Sequence, residues 1–420
     1  MAAQLPFPVL CHIFALACSE GSLPTAAYLP CVSRHWREAA KLCEPALWAC
    51  ADLSFGWART TNAVLARLAS RGCFRATRRL CLAGCDRLSD ASLELLTRAV
   101  LQGQLAELVS LDVSGCKGFS SSALAQFIVA LPSLTALHLQ RSALKLEHLR
   151  EVFAAKRDTL QSVSLAHCPR FCSSTLRCLL QLAALRSLTL TGAGVHAVSV
   201  PIELMQAAMP RLAELRLAAL GSSAGWSAPA SGRPESGFKH LRVLHVGPAT
   251  RLTQQGAITS SSCVCDGVLA RLTRDAAALR ELSVPGTRVT ARGLDALLTD
   301  GLHLLHVSGS ACCTDAGAEV AARRWQHTLV AAEFAGPAVS DEGVHQLAAC
   351  THLTSLDIAS SSVTAAGLRA LLLAECTMPP LLTDLTLSSC RHLDRSIRQA
   401  GLAGVNALRE ALRNGALALG

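Results

Sequence analysis

The chain has 420 residues, 51% of them apolar and 4% aromatic, and a formal net charge of +9. Its length allows a large buried core. The positive charge is almost all arginine, scattered without a basic run long enough for a nucleic-acid arm, and no apolar stretch reaches the ~18 residues of a membrane span. Neither nucleic acid nor membrane is therefore an expected partner. Nineteen cysteines, with no C-x-x-C pair, point to free thiols in a reducing compartment, cytosolic or nuclear. No metal site and no cofactor are expected.

Residues 4–54 carry helical patterning. Leu10, Ile13, Phe14 and Ala17 fall at helical spacing, and Val32, Trp36 and Ala39 or Ala40 make a second apolar stripe. Breaks near Gly21-Ser22 and Pro45 predict three short helices. Val9–Cys18 imitates the core of a signal peptide, but no Lys or Arg precedes it and Pro6 and Pro8 stand just before it, so a helix explains it better. The ordered series Leu5-Pro6, Leu10, Ile13-Phe14, Val32-Ser33-Arg34, Trp36, Leu47-Trp48 and Asp52-Leu53-Ser54 resembles an F-box. That family shows L-P-x-x-x-L-x-x-I-F, then V-C-R-x-W, then L-W. Ser33 stands where Cys is usual, and Ser19–Pro30 is longer than the usual connection and lacks its acidic-leucine pair.

The resemblance implies a small all-α F-box over residues 1–54. Leu5, Pro6, Leu10, Ile13, Phe14, Val32 and Trp36 would make, or support, the hydrophobic face that docks an SKP-type adaptor. Trp48 and Leu53 would anchor this module to the first repeat of the next domain. Residues 55–74 are expected to form a helical linker and N-terminal cap. The plainer alternative is that the N-terminal helices only cap the open end of that domain.

From about residue 75 to 415 a nine-residue phrase, L-x-x-L-x-L-x-x-C/S/T, recurs about a dozen times. It reads LVSLDVSGC at Leu108–Cys116, LQSVSLAHC at Leu160–Cys168 and LTDLTLSSC at Leu382–Cys390. Its middle residues are Leu80, Leu111, Leu137, Val163, Leu188, Leu215, Leu244, Leu282, Leu305, Ala332, Leu356 and Leu385. Most steps are roughly 23 to 31 residues, within the leucine-rich-repeat range. The alternating x-L-x-L suits a short strand with one buried face. A Ser, Thr or Asp then precedes apolar residues three and four apart, as in VSDEGVHQLA after Pro337 and VTAAGLRALL after Ser361, which reads as a capped helix. The weakest copies are the first and the tenth, LVAAEFAGP at Leu329–Pro337.

One such unit cannot bury its leucines alone, but stacked neighbours can. The expected fold is thus α/β, a leucine-rich-repeat solenoid with strands on the concave side and helices on the convex side. The ninth position carries Cys85, Cys116, Cys168 and Cys390, with Ser142, Ser310 and Ser361 elsewhere, where a small side chain turns inward and bonds the turn backbone. The repeat resembles the cysteine-containing subclass of leucine-rich repeats, which implies a right-handed horseshoe.

Two stretches exceed the repeat's needs, residues 221–237 and 247–266, and are expected to be flexible insertions. Gly221-Ser-Ser223-Ala-Gly225 fits the G-x-S-x-G nucleophile motif, but a Pro/Ser/Gly stretch stands where that motif needs a helix. No residues support an enzyme, and no catalytic residue is assigned.

The expected working surface is the concave face, toward which the third, fifth and seventh residues of each phrase point. The fifth residues of the phrases are Cys81, Asp112, His138, Ser164, Thr189, Arg216, His245, Ser283, His306, Glu333, Asp357 and Thr386. Asp112, His138, Arg216, His245, His306, Glu333 and Asp357 are the candidate substrate contacts. His138, Arg216, His245 and His306 fall on one lateral row flanked by acids at both ends. This suggests complementarity to an acidic or phosphorylated segment, with acids farther along the arc, weakening as pH rises above about 6.5.

Joined to leucine-rich repeats, the N-terminal segment makes the chain resemble the F-box/leucine-rich-repeat proteins, substrate receptors of SCF-type ubiquitin ligases. Its implied partners are an SKP-type adaptor, through it a cullin and RING subunit, and a protein substrate. The alternatives are an interaction scaffold without a ligase role, or a regulator of a small GTPase. The scarcity of Asn, found only at Asn62, Asn406 and Asn414, counts against the last.

Overall fold

The phrase folds as a short strand because its fourth and sixth residues share one side, and stacking against the next copy removes that side, together with the first residue just before the strand, from water. Leu108, Leu111 and Val113 are almost fully buried, as are Leu279, Leu282 and Val284. Each such side chain contributes about 1.5–3 kcal/mol. The computed structural model describes residues 5–19, 32–43, 47–142, 144–168, 173–192, 202–218, 237–247, 249–252, 258–261, 264–373 and 382–417. They fall into two units, Met1–Val195 and His196–Gly420.

The first unit opens with helices α1 (Phe7–Ser19) and α2 (Arg34–Leu42). Ser33, which replaces the usual Cys of the F-box pattern, accepts a hydrogen bond from the Trp36 amide at 3.1 Å and caps α2. Residues 20–31, where the long connection falls, lie outside the described residues. Then come β1 (Cys50–Asp52), a 3-10 turn (Ser54–Gly56), α3 (Asn62–Ser70), β2 (Arg79–Cys81), α4 (Asp90–Leu101), β3 (Ser110–Asp112) and α5 (Ser121–Ala130). After them lie β4 (Ala136–His138), α6 (Leu146–Ala155), β5 (Ser162–Ser164), α7 (Ser173–Leu179) and β6 (Ser187–Thr191). The strands pair in parallel in chain order, with Ala51, Leu80, Leu111, Leu137, Val163 and Leu188 in one lateral row.

This ladder corrects the expected boundaries. It begins at Cys50, inside the segment assigned to the F-box. Trp48, Ala51 and Leu53 take the first, fourth and sixth positions of an additional phrase, and all three are buried. Trp48 and Leu53 are therefore core residues of the first repeat, and α3 is the helix of that repeat. Asn62 joins it to the next: its Nδ2 donates to Ser89 Oγ at 2.7 Å, and its Oδ1 accepts from the Ser89 amide at 3.1 Å.

The second unit runs α8 (Ile202–Ala208), β7 (Glu214–Ala218), β8 (Val243–Val246), β9 (Ala249–Leu252), β10 (Ile258–Ser261), α9 (Asp266–Leu272), β11 (Glu281–Ser283) and α10 (Ala291–Asp295). It continues with β12 (Leu304–His306), α11 (Asp315–Trp325), β13 (Ala331–Glu333), α12 (Asp341–Leu347), β14 (Ser355–Asp357), α13 (Ala365–Leu373), β15 (Asp384–Thr386), α14 (Arg395–Ala403) and α15 (Val405–Leu417). Strands β7, β8 and β11 to β15 pair in parallel, with Leu215, Leu244, Leu282, Leu305, Ala332, Leu356 and Leu385 in register. In the weak tenth copy, Phe334 is fully buried beside the small Ala332, so a larger residue at the sixth position accompanies a smaller one at the fourth.

The stretch 247–266 is not merely loop. Strands β9 and β10 pair antiparallel within it, Ile258 opposite Leu252 and Ser261 opposite Ala249. The other expected insertion, including the Gly221–Gly225 motif, lies outside the described residues apart from Gly237.

Two side-chain ladders tie copy to copy. On the sheet side, ninth-position thiols donate to the sixth-position carbonyl of the preceding repeat: Cys116 to Leu82 at 3.0 Å, Cys168 to Leu139 at 3.0 Å and Cys390 to Ile358 at 3.3 Å. On the helix side, the Asp that starts α9, α11 or α12 accepts from the residue just before the next helix. Asp266 takes the Thr290 amide and hydroxyl, Asp315 those of Ser340, and Asp341 those of Thr364, all between 2.6 and 2.8 Å.

Candidate protein-interaction site

The adaptor-facing candidates divide by burial. Leu10 and Phe14 are fully buried between α1 and α2, with the Phe14 ring centroid 5.1 Å from that of half-buried Trp36. These three hold the helix pair together. Leu5, Ile13 and Val32 are 46%, 40% and 60% exposed, and Pro6 is exposed beside them. Phe7 and Val9 extend this apolar surface. Phe7 is fixed by stacking on His35, 4.4 Å between centroids, and His35 Nε2 lies 2.8 Å from the Leu5 carbonyl oxygen. The segment thus has an apolar interior and, besides it, large apolar side chains that the fold leaves in solvent. Phe7 and Val9 were missed in the sequence because the F-box pattern leaves their positions open.

Strand pairing places the fifth-position side chains as the sequence register implies. In the first unit Asp52, Cys81, Asp112, His138, Ser164 and Thr189 follow one another across the sheet. Asp52 and Asp112 accept the amides of Ser54 and Ser114 at 2.9 and 2.8 Å, so both also hold the turn after their strand. Between them the Cys81 thiol is pushed up to about 12, chiefly by burial, and stays protonated and inert.

In the second unit the row is Arg216, His245, Ser283, His306, Glu333, Asp357 and Thr386. Arg216 Nη1 lies 2.9 Å from His245 Nδ1. A guanidinium can only donate, so Nδ1 accepts and the ring proton sits on Nε2. Burial, then the charges of Arg216 and His306, lower the His245 pKa to about 4. His306 bridges Ser283 and Glu333, with Nδ1 3.1 Å from Ser283 Oγ and Nε2 3.2 Å from Glu333 Oε2. Asp357 accepts the Ala359 amide at 2.8 Å.

These contacts overturn the expected basic row. His245 is neutral at physiological pH and uses Arg216 as its donor, while His306 is drawn to a carboxylate. Third-position residues share this face because side chains two apart on a strand point the same way. They add Glu214, Glu281 and Asp384. Across the third and fifth positions, Glu214, Glu281, Glu333, Asp357 and Asp384 stand against Arg216 as the single permanent cation. The open sheet face of the second unit is acidic on a chain whose net charge is +9. Complementarity to an acidic or phosphorylated segment does not follow, nor does a loss of charge at His245 near pH 6.5.

Among the described residues no group of three or more His, Cys, Asp or Glu is placed to hold a metal ion, and no helix is long and apolar enough to cross a membrane.

No protein-family model matches the chain, and no curated protein matches it in sequence. In fold it is similar to a chain of the crystal structure of the Rad7 and Elc1 complex in yeast, with 16% identity, a TM-score of 0.51 and coverage of 86% of this chain and 91% of that one. An internalin from Listeria monocytogenes aligns at 14% identity and a TM-score of 0.42, over 79% of this chain and 80% of its own. At such identity the first likeness speaks for fold alone. With the repeat register it establishes a leucine-rich-repeat solenoid, a fold that works through surfaces.

Proposed function

We propose that this chain is the substrate-recognition subunit of an SCF-type ubiquitin ligase, non-catalytic itself and acting in the cytosol or nucleus. The observation that carries this reading is the exposed apolar surface of α1 and the start of α2, formed by Leu5, Pro6, Ile13 and Val32 over a buried Leu10–Phe14–Trp36 interior. It occurs at the F-box motif positions, directly before the repeats. The solved structure of similar fold is itself a complex, Rad7 with Elc1, which agrees with a repeat chain that works in partnership. On this reading an SKP-type adaptor covers Leu5, Ile13 and Val32 and links the chain to cullin and RING subunit. The repeats hold the substrate through the open sheet face, whose carboxylates favour a basic segment. The mechanism is positional: substrate and ubiquitin-loaded enzyme share one assembly, and effective concentration rises toward the ~mM scale of short tethers.

The test is co-purification of the full chain with an SKP-type adaptor, cullin and RING subunit, beside Ile13→Asp/Val32→Asp. Stoichiometric capture by the wild type and none by the variant supports the ligase role. Absence of capture by folded wild-type chain leaves an interaction scaffold. Replacing Glu333 and Asp357 by Lys is expected to weaken substrate capture at least tenfold and to spare the adaptor. Unchanged capture removes this face from the substrate site.

A further inference from the structure

The last strand is covered differently from the others. Leu215, Leu244, Leu282 and Leu305 are fully buried at the fourth position, whereas Leu385 is only half-buried. Helix α14 lies against β15 yet buries none of its own residues, and its Leu402 is 87% exposed. The two touch near Gly401, where an added Cβ would stand 3.1 Å from Leu387 Cδ1. Elsewhere they part, leaving a cleft of about 540 Å³ floored by Leu385, Leu387 and Leu402 and edged by Arg395, Arg398 and Gln399.

One wall of this cleft is an open strand edge. The Asp384 amide donates to Thr354, the Ile358 amide to the Thr386 carbonyl, and the Ser360 amide to the Ser388 carbonyl. Alternate residues of β15 are thus committed to β14, and the peptide groups of Leu385 point the other way. Among the described residues no strand pairs there. An unpaired edge beside an apolar floor is a template for an added strand.

We propose that the cleft between β15 and α14 is a peptide-binding groove that takes an extended, acidic segment of a partner protein. The segment adds to the free edge of β15, lays apolar side chains on Leu385 and Leu402, and presents a carboxylate to Arg395 and Arg398. Charge decides the occupant: the lining carries two arginines and no carboxylate, opposite in sign to the open sheet face. The wall from Leu385 to Ser389 matches an extended peptide of about five residues at ~3.3 Å each. The groove stands whether or not α1 and α2 hold an adaptor.

The experiment exposes the full chain to two oriented nonapeptide libraries, one with Glu fixed at the centre and one with Lys. The Glu library should be retained at least tenfold over the Lys library, and Arg395→Gln/Arg398→Gln should abolish the difference. Both arginines are exposed, so the variant's thermal melt should match the wild type. The selected peptide should slow amide exchange at Leu385. Equal retention of the libraries, or retention unchanged in the variant, overturns the proposal. So does a Leu385 amide already protected without peptide, which would mean that the chain's own flanks, residues 374–381 or 418–420, occupy the cleft.

Discussion

Arg271 and Glu203 are 68 residues apart in sequence and joined by two parallel hydrogen bonds of 2.7 Å, Nε to Oε1 and Nη2 to Oε2. Gln206 adds a third link, its Nε2 donating to the Arg271 carbonyl at 2.7 Å. These bonds join α8 directly to α9. The side chains are only 17% and 10% exposed. Arg271→Met would strand a buried carboxylate and should lower unfolding free energy by about 3–5 kcal/mol, with much of the loss recovered by adding Glu203→Leu. Urea unfolding of both variants measures this.

The same pair makes a prediction in acid. Hydrogen bonding from Arg271 holds the Glu203 carboxyl below its ordinary 4.5. A group depressed in the folded state contributes stability above its unfolded pKa and loses it as pH falls through the folded one. Wild type should therefore lose stability below about pH 4.5 more steeply than the Glu203→Leu/Arg271→Met variant. Parallel slopes would contradict the assignment.

On the helix side, Asp315 accepts the Ser340 amide at 2.8 Å, the Ser340 hydroxyl at 2.7 Å and the Gly343 amide at 3.0 Å. A Cβ on Gly343 would stand 2.4 Å from Asp315 Oδ1, so glycine is required by close approach rather than by turn geometry. Asp315→Ala should cost about 1.5–3 kcal/mol, and Gly343→Ala about 1–3 kcal/mol. Because they disturb one contact, the double variant should lose less than their sum. A strictly additive denaturation result would show that the two residues act independently.

His245 supplies a second pH test. Its folded-state pKa is lowered to about 4 from 6.5, so the unfolded chain binds the proton more readily between these values. Stability must fall as pH drops from about 6.5 toward 4, and His245→Gln should flatten that part of the profile. Thermal melts at half-unit pH intervals decide it; identical slopes would mean that His245 is not desolvated as its contact with Arg216 requires.

Much of the solenoid was legible in the sequence because the leucine period is a packing requirement. Leu111 opposite Leu137 and Leu282 opposite Leu305 are the pairs that the phrase spacing predicts. The first repeat was missed because its marker is Ala51, and Trp48 supplies the volume that leucine gives elsewhere. The antiparallel β9–β10 pair carries no leucine signal, since it is a two-stranded sheet separate from the parallel ladder that the leucine period marks. The charge of the sheet face was misread because side-chain identity does not show that Arg216 bonds His245 or that His306 turns to Glu333, and because only the fifth positions were read although strand alternation also puts Glu214 and Glu281 on that face. On α1, motif position alone did not separate buried Phe14 from exposed Ile13, as both lie in one apolar run.

Docking of an adaptor on the apolar surface of α1 and α2 is decided by calorimetric titration of an SKP-type adaptor into the full chain. Wild type should bind stoichiometrically. Ile13→Asp/Val32→Asp should weaken binding at least a hundredfold with an unchanged melting profile, because both side chains are exposed, whereas Phe14→Asp should loosen the helix pair itself. Binding by the Ile13/Val32 variant as tight as wild type, or none by a folded wild type, would mean that this surface is not an adaptor site.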